Sequence, residues 1–267
     1  MTLFDAAGGE SPSPASTASA RLKLTVAYDG TDFHGFAAQR DVRTVESALA
    51  DALEKVLRSS RELLNLGCAG RTDAGVHARA QVVSVDAPPD IETEQVPRAV
   101  NGITAPEIVV RSCERVAAGF DARHSAKWRT YRYTIVNRPE PDPFLARYAW
   151  WVPARLDLAQ LRLAADPFVG EHDFAAFCRK GPEGSTTVRR VLDSRWLTTN
   201  EDGVLAYEIR ATAFCWQMVR AIVGTLVEAG SGKRRPGDLL RVLRSRERRH
   251  VGQLAPAHGL TLWDVGY

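Results

Sequence analysis

Cysteine is scarce in this sequence, and recognisable metal-binding motifs and long apolar runs are absent from it. The four cysteines are Cys68, Cys113, Cys178 and Cys215, and no two of them form a C-x-x-C pair. The six histidines make no H-E-x-x-H cluster. This pattern predicts neither a zinc site nor a disulfide framework, and it is typical of a protein in a reducing cytoplasm. The sequence contains no run of about twenty apolar residues, so it predicts no membrane-spanning helix.

The composition is that of a soluble globular protein. Of the 267 residues, 45% are apolar and 25% are charged, which allows one large domain or two smaller ones. Residues 1–20 are rich in Ala, Ser, Pro and Gly and lack the basic start and apolar centre of a secretory signal. We predict a disordered N-terminal tail over this segment.

Positive charge is concentrated in one part of the chain, between Gly232 and His250, although the net charge is only +3. The basic residues there are Lys233, Arg234, Arg235, Arg241, Arg244, Arg246, Arg248 and Arg249. Two interpretations fit this run. It is either a solvated helix face or a contact surface for a polyanion.

Hydrophobic periodicity predicts a similar order of elements in each half of the chain. The first half has an alternating strand at Arg21–Tyr28, a helix after the candidate N-cap Thr44 and a strand at Gln81–Val85. The second half has a strand from Trp128, a short helix near 157–165, strands near 188–197 and 204–211 and a helix near 214–229. We therefore expect two α+β halves, 21–124 and 125–267, that meet across a cleft.

The segment GCAGRTDAGVHA is unusual because it places charged residues between glycines, directly before a buried strand. A plain turn would explain Asp73 and Gly75, but it leaves Arg71 and His77 without a role. A carboxylate nucleophile is the alternative. It must be ionised, which a nearby arginine favours, and accessible, which flanking glycines allow.

An arginine interrupts an apolar helix pattern in FCWQMVRAIVG. Met218 and Ile222 belong to the apolar stripe, whereas Arg220 lies roughly opposite. Such an arginine either extends outward to solvent or pairs with an acid, and the pattern alone leaves both open.

Six segments in order, from about Leu22 onward, resemble the TruA family of tRNA pseudouridine synthases. They are YDGTDFHGF, GRTDAGVHA, FDARHSAKWRTYRY, HDFAAF, FCWQMVRAIVG and APAHGLTL. The resemblance implies the pseudouridine synthase fold, with mostly antiparallel sheets flanked by helices. It implies an isomerase that detaches uracil at N1 and reattaches it through C5, without a cofactor or a metal. The implied substrates are neighbouring uridines of the tRNA anticodon stem-loop, at tRNA positions 38 to 40.

Five residues match positions to which the family assigns roles. Asp73 matches the catalytic aspartate, which attacks either C6 of the base or C1′ of the ribose. Arg220 matches its arginine partner, and Arg71 is expected to hold the flipped nucleotide or its phosphate. Tyr131 matches the tyrosine that stacks on the target base. Leu260 is a candidate wall of the uracil pocket, although a core leucine is the simpler interpretation.

The resemblance also implies a homodimer, with one tRNA lying across both subunits and the target base extruded from its stack. One segment departs from the family pattern: Gly35–Gln39 reads G-F-A-A-Q in place of the usual G-W-Q-x-Q. Phe36 keeps an aromatic ring and Gln39 keeps an amide, whereas Ala37 removes one polar group from that loop. Asp29 and His34 are expected near the site, as contacts or as loop hydrogen-bonding residues.

Two rival functions remain open at this point. One is a catalytically silent module that binds or folds tRNA in the same cleft. The other is a different enzyme class, in which Cys68 or Cys215 is the nucleophile and His77 is the base.

Overall fold

The computed structural model describes residues 19–181 and 184–267. The predicted tail at residues 1–20 lies almost wholly outside this part of the chain. Within it, no helix is long and apolar enough to cross a bilayer, and no group of three His, Cys, Asp or Glu side chains could hold a metal ion.

The first half of the chain contributes four strands and two helices. They are β1 (Ala20–Tyr28), α1 (Val45–Leu57), β2 (Gly67–Cys68), β3 (His77–Ala87), α2 (Gln95–Thr104) and β4 (Ile108–Val116). The predicted strand before Tyr28 is confirmed. So is the predicted helix after Thr44, whose hydroxyl accepts a hydrogen bond from the Ser47 amide in a capping box. Strand β3 is longer than predicted, and the sequence analysis missed α2 and β4.

The second half contributes the remaining elements. They are β5 (Trp128–Val136), β6 (Trp150–Trp151), α3 (Leu158–Ala165), β7 (Gly170–Asp173), β8 (Val188–Thr198), β9 (Val204–Ala211), α4 (Met218–Gly230), α5 (Asp238–Ser245) and β10 (Leu260–Gly266). Helix α4 begins at Met218 rather than near Phe214. The preceding loop ends at Gln217, whose left-handed backbone (φ +62°) is incompatible with a continuing helix.

The ten strands of the described residues form one open, mixed sheet. The main order is β4-β1-β3-β10-β5-β9-β8-β7, with β2 paired to β3 and β6 paired to β5. Every pairing is antiparallel except β3 with β10 and β5 with β6. The predicted α+β class is confirmed. Strand β10 joins the two halves of the sheet, because it pairs with β3 on one side and β5 on the other.

One face of the sheet carries the main hydrophobic core. Leu22, Leu24 and Val26 of β1 alternate with less buried neighbours, as expected from the side-chain period of a strand. Tyr131 and Tyr133 of β5 belong to the same buried cluster as the apolar sides of α1, α3 and α4. The helices therefore cover this face of the sheet.

The basic run near α5 is partly neutralised within the protein. Arg234 pairs with Glu228, Arg241 with Asp238, Arg246 with Asp173 and Arg249 with Glu247. Arg248 donates to the carbonyl of Phe177. Four of the eight basic side chains of this run are therefore paired with acids.

The expectation that the cysteines would form no disulfide was wrong. Cys178 and Cys215 are joined, with their Cα atoms 5.6 Å apart. The two residues lie 37 positions apart in sequence, so short-range spacing could not reveal the pair. The loop after β7 and the loop before α4 lie side by side, since the Arg179 amide donates to the Trp216 carbonyl at 2.9 Å.

Candidate active site

The loop between β2 and β3 presents Asp73 at the edge of the core. Its backbone is a tight turn, in which the Val76 amide donates to the Asp73 carbonyl at 3.1 Å. Gly75 has φ +76°, a conformation that other residues adopt at a cost. The segment therefore does form a turn, and this turn leaves the Asp73 side chain 40% exposed.

Helix α4 brings Arg220 to this carboxylate. The guanidinium Nη1 lies 3.4 Å from Oδ2 of Asp73, within hydrogen-bonding distance. The same guanidinium donates through Nε to the Ala255 carbonyl at 2.8 Å, and its side chain is only 14% exposed. Of the two possibilities for this arginine, pairing with an acid is the one observed.

A cavity of about 350 Å³ opens beside the Asp73–Arg220 pair. Its walls come from both halves of the chain, which places it where a cleft between them was expected. The lining residues are His34, Gly35, Phe36, Ala37, Gln39, Thr72, Asp73, Ala74, Arg179, Gln217 and Arg220. Two cations and one carboxylate therefore face a space large enough for a nucleobase.

Comparison with known proteins identifies the family. A family model described as tRNA pseudouridine synthase matches residues 24–124 and 164–267. The tRNA pseudouridine synthase A of Leifsonia xyli subsp. xyli is 42% identical over 265 residues, covering 92% of this chain and 91% of that protein. The tRNA pseudouridine synthase A of Bacillus subtilis is 40% identical over 247 residues, covering 92% and 99%. The chain belongs to the tRNA pseudouridine synthase family.

Membership of the family makes this synthase an enzyme, an isomerase that modifies tRNA. Among solved structures, an archaeal box H/ACA sRNP Nop10–Cbf5 complex has a TM-score of 0.33 to the synthase at 11% identity. That similarity covers 86% of this chain and 60% of the other. A similarity at this level carries no argument about function.

Three of the predicted site residues of the synthase do not line the cavity. Tyr131 is buried beside it, with its ring edge-on to Phe214 at 5.0 Å. Burial, followed by the charge of Asp73, raises the pKa of Tyr131, so the phenol lies within electrostatic reach of the carboxylate. Arg71 is exposed to solvent. Leu260 is buried in the core on β10, opposite Tyr133.

The segment that departs from the family pattern lies on the cavity wall. Gly35, Phe36, Ala37 and Gln39 all line it, and the Gln39 amide donates to the His34 carbonyl at 2.8 Å. Ala37 therefore presents a methyl group where a larger polar side chain would project. Ala37 therefore makes the cavity wall less polar at that point than a larger polar side chain would.

Asp29 lies outside the cavity, although its neighbour in the same loop, His34, lines it. The Asp29 carboxylate accepts from the Tyr148 hydroxyl at 2.8 Å and lies 3.2 Å from Nδ1 of His77. Burial would raise the pKa of Asp29, but hydrogen bonds from Thr31 and Tyr148 outweigh it and lower the pKa. These contacts join the loop after β1 to the segment between β5 and β6.

Two lining residues, Arg179 and Gln217, were missed from the sequence. Arg179 follows Cys178 in a loop of irregular composition, and Gln217 owes its position to a left-handed backbone conformation. Neither lies at a periodic position. The basic pair in FCRKG was the one signal that could have marked the first of them.

The structure argues against the rival enzyme class in which Cys68 or Cys215 is the nucleophile. Cys215 is bonded to Cys178, and burial raises the pKa of Cys68 to about 12. A thiol with that pKa is almost wholly protonated near neutral pH, and the thiolate is the reactive form. The His77 ring is occupied as well, because Nδ1 accepts from the Gly30 amide and Nε2 contacts the His258 carbonyl, both at 3.0 Å.

Proposed function

We propose that this synthase converts neighbouring uridines of the tRNA anticodon stem-loop to pseudouridine, with Asp73 as the nucleophile. The observation that carries the proposal is the Asp73–Arg220 pair at the cavity, 3.4 Å between Oδ2 and Nη1. Asp73 is the one carboxylate among the lining residues. It is partly exposed to solvent, whereas its arginine partner is largely buried and fixed by a backbone carbonyl.

The reaction is an isomerisation, so no atoms are gained or lost overall. The N1–C1′ bond breaks, a C5–C1′ bond forms, C5 loses a proton and N1 gains one. Asp73 either adds to C1′ of the ribose and is displaced when C5 attacks that carbon, or adds to C6 of the base and is eliminated when C5 loses its proton. A covalent intermediate of this kind divides one difficult step into two easier ones. Arg220 holds the carboxylate toward the cavity.

The cavity favours a single extruded nucleotide. Its volume of about 350 Å³ accommodates one base and part of a ribose, not a paired stem. Extrusion costs a few kcal/mol of unstacking, and stacking on an aromatic side chain returns about 1–3 kcal/mol. We assign that stacking to Tyr131, which lies next to the catalytic loop, and we assign the phosphate contact to the exposed Arg71.

Tritium release from tRNA labelled at uridine C5 tests the proposal, because C5 must lose its hydrogen. The comparison is wild type, Asp73→Asn and the matched control Asp238→Asn. Asp238 also pairs with an arginine, Arg241 at 2.9 Å, but it lies on α5 away from the cavity. The expected result is release by wild type and Asp238→Asn and none by Asp73→Asn, with all three proteins binding tRNA.

Two other results would contradict the proposal in different ways. Release that survives Asp73→Asn means that another group attacks the nucleotide. No release from any tRNA of a broad panel, despite tight binding, means that the chain is a silent tRNA-binding or folding module.

The quaternary arrangement and the location are further parts of the proposal. We propose a cytoplasmic homodimer with one tRNA across both subunits, each subunit having halves at residues 21–124 and 125–267. Sedimentation equilibrium should give twice the monomer mass for the free protein and one tRNA per dimer in the complex. A free protein of monomer mass at micromolar concentration would contradict the dimer.

A further inference from the structure

A small polar cluster lies buried directly beneath the loop that carries Asp73. Its members are Tyr28 on β1, Gln81 on β3 and Thr72 in the loop, which are 4%, 0% and 7% exposed. They lie against the main hydrophobic core, which includes Leu24, Val26 and Val83. Polar groups in such surroundings are costly unless they are hydrogen-bonded. Their presence therefore calls for a structural or functional reason.

The cluster bonds the loop at two points just before Asp73. The Gln81 side-chain amide donates to the Gly70 carbonyl at 2.6 Å and accepts from the Gly70 amide at 3.2 Å. The Tyr28 hydroxyl shares a 2.8 Å hydrogen bond with the Thr72 hydroxyl. Gln81 also donates to the Tyr28 hydroxyl, at 3.4 Å, which links the two points.

The position of the Asp73 carboxylate depends on this support, because its own side chain makes few hydrogen bonds that would fix it. Among the described residues, the Asp73 carboxylate makes a single hydrogen bond, to Arg220. The backbone on either side is fixed by the Phe36 amide, which donates to the Thr72 carbonyl at 3.0 Å, and by the turn to Val76. Residues 70 and 72 are held through side chains, and those side chains belong to the buried cluster.

We propose that Tyr28 and Gln81 are positioning residues, which hold the loop at Gly70 and Thr72 so that the Asp73 carboxylate meets the extruded nucleotide in attacking geometry. The inference rests on the proposed role of Asp73. Tyr28 and Gln81 are almost wholly buried and their hydrogen bonds go to the loop, so we assign them a positioning role and no contact with the substrate. A displacement of the carboxylate by about 1 Å is enough to lower the chemical rate by about a hundredfold.

Burial raises the pKa of Tyr28. The phenol therefore stays protonated and able to donate throughout the physiological range.

The structure supplies a matched pair of variants to test this. Tyr28→Phe removes one buried hydroxyl that contacts the Thr72 hydroxyl at 2.8 Å. Tyr207→Phe removes a second buried hydroxyl that contacts the Ser194 hydroxyl, also at 2.8 Å, on β8 and β9. Both changes keep the aromatic ring in the core. A purely structural role for Tyr28 predicts the same behaviour from the two variants.

The measurements are the single-turnover rate of C5 tritium release, the dissociation constant for tRNA and the thermal midpoint of each protein. We expect Tyr28→Phe to lower the single-turnover rate by between about tenfold and a hundredfold. Tyr207→Phe should stay within twofold of wild type. Both should bind tRNA within twofold of wild type and lose similar amounts of thermal stability.

A second set of variants tests the hydrogen bond itself. Thr72→Val removes the hydroxyl that pairs with Tyr28 and should lower the single-turnover rate as Tyr28→Phe does. Combining Tyr28→Phe with Thr72→Val should be no slower than either change alone, since both remove the same bond.

The inference is overturned if Tyr28→Phe turns over as fast as Tyr207→Phe, or if it weakens tRNA binding while the single-turnover rate is unchanged. Failure of the proposed function is a separate result: Asp73→Asn would then retain the wild-type rate. A slow Tyr28→Phe beside an inactive Asp73→Asn supports both proposals together.

Discussion

Gly224 on α4 offers a sharp test of how closely the segment 253–255 packs against this helix. A Cβ atom at Gly224 would lie 1.7 Å from the Gln253 carbonyl oxygen and 3.3 Å from the Ala255 amide nitrogen. Ordinary contact begins at 3.4 Å, so the Gln253 carbonyl would have to retreat by about 1.7 Å. The obstacle is backbone, which cannot rotate away as the end of a side chain can.

Gly224→Ala has two opposing effects on stability, and their magnitudes decide whether the variant is more or less stable than wild type. Alanine is favoured over glycine in a helix by about 0.8–1 kcal/mol. Overpacking a well-filled site costs about 1–3 kcal/mol, and more where backbone must move. We expect the clash to win, leaving the variant less stable than wild type by about 1–2 kcal/mol.

Gly102 on α2 is the matched control. A Cβ atom there meets nothing within 4 Å, so Gly102→Ala should gain most of the helix preference and be more stable by about 0.5–1 kcal/mol. Urea unfolding followed by circular dichroism measures both variants. The Ala255 carbonyl accepts from Arg220, so Gly224→Ala should also turn over more slowly. Equal stabilisation by the two substitutions would refute the close approach of segment 253–255 to α4.

Two further predictions concern acid stability and the thiols. Burial acts to raise the pKa of Glu208, but hydrogen bonds from Arg132 and Arg195 outweigh it and lower the pKa below the ordinary 4.5. Its stabilising contribution is therefore complete above about pH 4.5 and is lost as the pH falls through the folded-state value. Glu208→Gln should lose less stability than wild type between about pH 5 and pH 3 in urea titrations, and equal losses would contradict the assignment. Thiol titration of the denatured, unreduced protein should count two thiols, Cys68 and Cys113, whereas four would contradict the pairing of Cys178 with Cys215.

Local patterns predicted the elements that are regular and self-contained. The alternation of Leu22, Leu24 and Val26 predicted β1, and the cap at Thr44 predicted the start of α1, because each signal lies within a few residues of the element it describes. Strand β4 escaped notice because Arg111, Glu114 and Arg115 break its apolar pattern at the sheet edge. Such edge strands carry charge toward solvent, which weakens their periodic signal.

Residues of the candidate site also differ in whether a local sequence signal marks them. The contiguous motif around Asp73 marked that loop, and the arginine within an apolar helix marked Arg220, although its pairing with Asp73 was implied only by the family resemblance. Arg179 and Gln217 could not be found, since a loop contact and a left-handed backbone bring them to the cavity. The Cys178–Cys215 pair escaped for a related reason. It depends on two loops lying side by side, which no spacing rule within either loop encodes.

Strand β10 has a consequence for how the protein is made. It lies in the middle of the sheet, yet the ribosome produces it after the other nine strands. Until residues 260–266 emerge, β3 and β5 each present an unpaired edge on the nascent chain, which exposes them to wrong pairing. The pairing of His77 with Thr261 joins positions about 180 residues apart, and such distant contacts form slowly. Closure of the sheet should therefore be a late step of folding, and the growing chain should depend on chaperones that shield strand edges.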